Sequence, residues 1–249
     1  MSEITLYELT STSDRANTWS PFVWKAKVDL AILGVAVTSK RLNFVEIRGD
    51  LAKETGNEKI LVPTIKVKGE YISDSFAIAQ WLERNYASGD KTLFPGGEAA
   101  TGFVKFIDEW VNGTLAAEMR GLIGPKVYQS LDEPCRAYWI QSRFKGDESK
   151  VAPFIANLTN AEFVETKTAA ARARLAVLEE LLEYQQSVGN GLWLSGKGPS
   201  HADAEVFGWY AFSRLNKELV AKVWEHDDLP KVREWVKAIT AIVGEDELP

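Results

Sequence analysis

The sequence predicts a chain of two units, an α/β unit followed by an all-helical one, and three observations carry that reading. Over residues 1–87 the apolar positions switch between period two and period 3.6. From residue 98 onward they keep the helical period, and a run of small, polar and turn-forming residues lies between. At 249 residues a single core is near the size where cores stop growing, which favours two packed units. Charge divides the same way: residues 1–87 hold 11 Lys and Arg against 11 Asp and Glu, leaving 18 against 24 of the totals of 29 and 35 for the rest.

Ile4 to Leu9 reads as the first strand. Ser20-Pro21 then opens a helix, since Pro suits the first helical position, and Gly34 stops it after Leu33. A second strand follows near Val37 to Leu42, then a short helical piece from Phe44 to about Lys53. Thr64 to Val67 and Glu70 to Ser73 flank Lys68-Gly69, the chemistry of a tight hairpin. Asp74-Ser75 lead into a helix whose buried face is Ile78, Ala79, Leu82 and Tyr86. The order is β, α, β, α, β, β, α. Ala87-Ser88-Gly89-Asp90 and Pro95-Gly96-Gly97 mark the connection, so the first domain is expected over residues 1–87 and the second over 98–249.

In the second unit Phe103, Phe106, Ile107, Trp110 and Val111 repeat at helical spacing, as do Ala171, Leu175, Leu178 and Leu182. Two more sets, Ala204, Phe207, Ala211 and Leu215, then Val232, Trp235, Val236 and Ile239, bring the expectation to at least four helices. Residues 123–165 carry Pro125, Pro134 and Pro153, which predicts short or broken helices there.

Composition narrows the function. A hydrophobic content of 45% can build a core, and a net charge of -6 argues against a phosphate-neutralising surface, so nucleic acid is not an expected partner. Leu30 to Val37, the longest apolar stretch, is far short of a bilayer span, and Met1 to Leu9 lacks a basic segment followed by an apolar one; a cytoplasmic protein is expected. One cysteine, Cys135, excludes an internal disulfide framework, and with only His201 and His226 beside it no Cys/His metal site is expected. Any thiol chemistry must use a thiol brought from outside.

Taken singly, Pro63 in Leu61-Val62-Pro63-Thr64 is strand punctuation and Asp74 a plain N-cap. Together, Val62-Pro63-Thr64, the hairpin, Asp74-Ser75, Ile78 and Trp81-Leu82-Glu83 resemble the glutathione-binding half of the glutathione transferases. The resemblance implies a thioredoxin-like first domain, glutathione as co-substrate, a cis peptide bond before Pro63, and strand-fashion pairing of the Val62 backbone with the cysteinyl part of glutathione. It also implies that Asp74 and Ser75 receive the glutamyl end. The physics agrees, because a helix N-terminus offers free N–H groups to the γ-glutamyl carboxylate and Asp74 can accept from its ammonium. Lys40, Arg41 and Lys59 are available for the glycyl carboxylate, Lys59 being the best placed by family analogy. In the second domain Gly198-Pro199-Ser200-His201-Ala202-Asp203 looks like the family's Ser/Thr-x-x-Asp capping box, so Ser200 and Asp203 are read as structural.

The thiol-activating residue differs between classes of this family, and the candidates here are Tyr7, Ser11, Ser13, Asn17 and Ser20. Ser20 is favoured, since its hydroxyl is an N-cap beside free donors and the positive end of the helix dipole. Tyr7 lies inside the strand pattern, a dozen residues from the helix. Trp19-Ser20-Pro21-Phe22-Val23-Trp24-Lys25 looks most like the fungal etherase-related (FuA) class, which uses Ser, with Phe22 a departure where a polar residue is commoner. That class implies aromatic or lignin-derived phenolic electrophiles and a homodimer. It leaves a second reading open, a glutathione-dependent carrier that holds aromatic wood extractives without turning them over. A third, an interaction module that has lost glutathione, is opposed by the presence of Ser20, Val62-Pro63 and Asp74-Ser75. Of the aromatic residues Phe103, Phe106, Trp110, Tyr128, Tyr138, Trp139 and Phe144, most are expected in the core and a few in a ligand cleft.

Overall fold

The structure, a computed structural model, describes residues 3–11 and 18–249. Four strands, β1 (Ile4–Leu9), β2 (Thr38–Leu42), β3 (Thr64–Val67) and β4 (Glu70–Ser73), form one sheet in the order β2-β1-β3-β4. β1 and β2 are parallel, joined by the crossover helix α1 (Pro21–Leu33), while β1/β3 and β3/β4 are antiparallel. The mixed sheet, with β3 opposite Tyr7 through Thr64, is the thioredoxin-like arrangement expected. α1 begins and ends where its signals fall, with Ser20 at the N-cap and Gly34 closing it at φ 68, a conformation that favours glycine.

The short helical piece runs further than the sequence indicates. It comprises α2 (Phe44–Glu46), a π turn (Ile47–Leu51) and α3 (Ala52–Thr55). Asn43 starts it with a reciprocal capping box, accepting from the Glu46 amide at 2.9 Å while the Glu46 carboxylate accepts from the Asn43 amide at 2.8 Å. α4 (Ser75–Tyr86) follows the hairpin and buries Ile78, Ala79 and Leu82 against the sheet unit, with Tyr86 half-buried.

The remaining helices are α5 (Glu98–Gly113), α6 (Leu115–Ser130), α7 (Glu133–Phe144), α8 (Val151–Ala156), α9 (Ala161–Ser187), α10 (His201–Ser213), α11 (Lys217–Val223) and α12 (Pro230–Val243). The proline-rich stretch is less broken than expected. Pro134 and Pro153 fall in the first turns of α7 and α8, where a missing N–H leaves no bond unmade, and Pro125 is buried inside a continuous α6. Only α8 is short.

Every residue of α10 is buried, which makes it the axis of the molecule. Gly208 lets it touch α1: a Cβ there would lie 2.2 Å from the Pro21 carbonyl oxygen. Buried charges close the rest of that interface. Lys25 of α1 pairs with Glu205 of α10 and with Asp108 of α5 at 3.5 Å. His201 bridges Asp29 of α1 at 2.8 Å and Glu205 at 2.9 Å. Burial alone would lower the His201 pKa, yet the two carboxylates override it and hold the ring up at about 10. Burial likewise raises Asp29, to about 6, against the opposing charge of His201.

The capping box is present and does more than cap. One Asp203 oxygen accepts from the Ser200 amide and hydroxyl, at 2.9 and 2.8 Å. The other accepts from the Leu194 amide at 3.0 Å and the Trp235 indole at 2.8 Å, joining α10 to the preceding loop and to α12. Among the described residues no helix is long and apolar enough to cross a membrane, and no group of three or more His, Cys, Asp or Glu is placed to hold a metal ion.

Candidate functional site

Two cavities, of about 550 and 440 Å³, meet where β1 gives way to α1. Leu9, Ser20, Phe22, Phe44 and Arg143 line both. The smaller has the more polar lining of the two and brings together all five residues singled out for holding glutathione, namely Lys59, Val62, Pro63, Asp74 and Ser75.

Local bonding explains how they are held. The Thr64 and Ser73 hydroxyls converge on the Leu61 carbonyl at 2.6 and 3.1 Å, fastening the loop to the hairpin just before Val62. The Val62-Pro63 bond is cis, as expected. Val62 lines the cavity and makes no hydrogen bond through its N–H or C=O among the described residues, as at an unpaired strand edge. Asp74 has φ 84, a conformation uncommon for any residue but Gly, and its carboxylate caps α4 by accepting from the Ala77 amide at 3.0 Å. That leaves the second carboxylate oxygen and the amides of Ser75 and Phe76, the open end of the helix, without a hydrogen-bond partner among the described residues.

Ser20 is buried at the junction. Its hydroxyl oxygen accepts from the Val23 amide at 3.4 Å, a long bond, and its proton has no acceptor among the described residues. Pro21 has no N–H, so the Phe22 amide stands beside Ser20 as a first-turn donor with no partner among the described residues. Tyr7 lies elsewhere: its hydroxyl donates to Glu54 at 2.8 Å on the sheet, and burial, followed by the Glu54 carboxylate, pushes its pKa above the ordinary value. Tyr7 and Ser11 line neither cavity, and Ser13 and Asn17 lie outside the described residues.

Lys40 and Arg41 do not reach the cavity. Lys40 pairs with Glu54 of α3 at 3.3 Å and Arg41 with Glu8 of β1 at 3.6 Å, from opposite faces of their strand. Lys59 does reach it, and makes no ion pair among the described residues. Arg48, on the π turn, escaped the sequence reading. It donates to the Ile60 carbonyl at 2.9 Å and the Tyr138 hydroxyl at 3.1 Å, so it sets the loop that carries Lys59 against α7. No local pattern marks it, because its partners are 12 and 90 residues away.

The larger cavity is an aromatic chamber. Of the aromatic residues considered from sequence, Trp139 and Phe144 line it and Tyr138 lines the polar cavity; Phe103, Phe106, Trp110 and Tyr128 line neither. The other rings come from the first unit (Trp19, Phe22, Phe44), from α8 (Phe154) and from α10 (Trp209, Phe212). Phe22 packs edge-on to Trp209 with ring centroids 5.9 Å apart, so an apolar residue after Ser-Pro is part of the chamber wall.

A thioredoxin-like unit with a cis-Pro loop and an acid-capped helix around a polar cavity, set against a helical unit that walls an apolar one, defines a two-substrate protein of the glutathione transferase type. The comparisons agree. The glutathione S-transferase C-terminal domain matches residues 102–236, more than half of the chain, and the chain belongs to the glutathione S-transferase family. Among solved structures, glutathione transferase GSTFuA3 from Phanerochaete chrysosporium aligns at 19% identity over 96% of this chain and 97% of that one, TM-score 0.75. GSTFuA2 from the same organism aligns at 21% identity over 96% and 98%, TM-score 0.75. A glutathione S-transferase of Ceriporiopsis subvermispora in complex with glutathione aligns at 20% identity over 96% and 97%, TM-score 0.72. At such identities these structures share the fold.

Proposed function

We propose that the chain is a serine-type glutathione transferase of the fungal etherase-related class. In this reading the polar cavity binds glutathione, the aromatic chamber binds an aromatic or lignin-derived electrophile, and Ser20 activates the thiol between them. The observation that carries it is the position of Ser20, shared by both cavities with an unaccepted proton. The Val62 amide and carbonyl would pair with the cysteinyl unit next to Pro63, Asp74 and Ser75 would hold the glutamyl end, and Lys59 would meet the glycyl carboxylate. The domain boundary would fall within residues 88–97, giving a glutathione domain over 1–87 and a substrate domain over 98–249. The family resemblance also supports a cytoplasmic homodimer.

A free thiol with pKa of about 8.5 is only about 3% thiolate at pH 7. A hydroxyl cannot take its proton; Ser20 donates a hydrogen bond to the sulfur, and the dipole of α1 favours the charge. The thiol proton leaves to solvent. The sulfur forms a C–S bond to the electrophilic carbon, and the leaving group departs with its bonding pair.

The chamber's aromatic walls equally suit a carrier that holds a phenolic ligand without reaction. Calorimetry with glutathione, followed by turnover with a panel of model electrophiles such as nitro-activated aryl chlorides, separates the readings. Binding and conjugation are expected. Binding of glutathione and of phenols without turnover across the panel would establish the carrier, and no glutathione binding would refute both.

A further inference from the structure

The aromatic chamber is not electrically neutral. Among the described residues, Arg120 and Arg143 are the charged ones in its lining, and no Asp or Glu lines it. Neither guanidinium makes an ion pair among the described residues. Each instead lies over an indole of the chamber wall, Arg120 over Trp209 at 4.9 Å and Arg143 over Trp139 at 5.5 Å from the ring centroids. The two feel one another: burial, then the charge of Arg143, lowers the Arg120 pKa from its ordinary value. Two guanidinium groups thus line an aromatic space to which the described residues bring no counterion.

We propose that the chamber selects aromatic ligands bearing an anionic group, a carboxylate in the first instance, with the ring stacked among the tryptophans and the carboxylate received by Arg120 and Arg143. The inference rests on reading the chamber as the second-substrate or ligand site. A carboxylate suits the planar fork of a guanidinium, which can bind it with two parallel hydrogen bonds. An anion between two like charges also removes the repulsion between them, whereas an uncharged ligand leaves it in place. Arg143 lines the glutathione cavity too, so the bound carboxylate would be anchored next to the reacting sulfur.

The test uses a pair of ligands that differ only in charge, benzophenone-4-carboxylate and benzophenone-4-carboxamide, titrated by quenching of tryptophan fluorescence with glutathione present. The native chain is expected to bind the acid at least tenfold more tightly than the amide. Arg120→Gln and Arg143→Gln together should bring the two within about twofold by weakening the acid alone, and the double Lys substitution should restore much of the preference. Equal binding of acid and amide by the native chain, or a preference that survives the double Gln substitution in protein with a native circular dichroism spectrum, would overturn the proposal. A parallel assay follows conjugation of 4-chloro-3-nitrobenzoate and its amide, each scaled to its uncatalysed rate with glutathione. There the C–Cl bond breaks as the C–S bond forms and chloride leaves with the electron pair. The binding preference is measured without turnover, so absent conjugation counts against the transferase reading alone, and absent preference beside active conjugation counts against this inference alone.

Discussion

Asp74 shows how one residue serves fold and site together. Its positive φ turns the chain from β4 into α4, one carboxylate oxygen caps the helix, and the other, which has no partner among the described residues, is the one proposed to meet glutathione. Asp74→Asn should preserve the cap, since Asn caps helices as well as Asp and tolerates positive φ, while removing the charge. Calorimetry should then show glutathione binding weakened by about 1.5 to 3 kcal/mol, the worth of a hydrogen bond to a charged group, with little change in melting temperature. Unchanged affinity would remove Asp74 from the glutamyl subsite. Ser20 and Asp74 were both legible in the sequence because each is a local signal, a capping residue next to a proline or a helix start. Arg48 was not, because its role is fixed by carbonyls of the 58–60 loop and by a tyrosine on α7.

Among the elements, the contact of α1 with α10 ties the site to the core. The strand and helix ends of the first unit were readable to within a residue or two because period, proline and glycine agree there. The contact was not readable, since nothing in Phe207-Gly208-Trp209 says which backbone the glycine must admit. Gly208→Ala would drive a methyl into the Pro21 carbonyl, next to Ser20, with Lys25 Cγ 3.2 Å away. Overpacking of this kind costs about 1 to 3 kcal/mol, and because the obstacle is backbone the upper end is expected. Folded Gly208→Ala protein should also lose conjugation rate, because α1 and its N-cap must shift. Gly102→Ala is the control: it is exposed on α5 with open space around its Cβ, and should stabilise by up to about 1 kcal/mol. Equal melting temperatures and rates for the two variants would contradict the close approach.

For the molecule as a whole, the α1–α10 interface carries its own pH dependence. His201 is held protonated by Asp29 and Glu205, so the stability it confers is fully present below the unfolded value of about 6.5, declines above it, and is lost as pH rises through about 10. Denaturation free energies should therefore fall from pH 7 toward pH 9, by up to about 1.4 kcal/mol per unit. Nuclear magnetic resonance titration of the ring should show no deprotonation near 6.5; a ring that titrates there would contradict the pairing. The charges themselves were visible in the sequence, but nothing in it shows that Lys25, Asp29 and Glu205 are buried where two helices close over them. The central claim joins both cavities at one hydroxyl, and ultraviolet titration of bound glutathione in the native chain and in Ser20→Ala tests it most directly. The native thiol should titrate one to two units below about 8.5, and Ser20→Ala should return it toward that value with glutathione still bound, the loss of a hydrogen bond to a charged sulfur. The same thiol pKa in both proteins would reduce Ser20 to a helix cap and contradict the account.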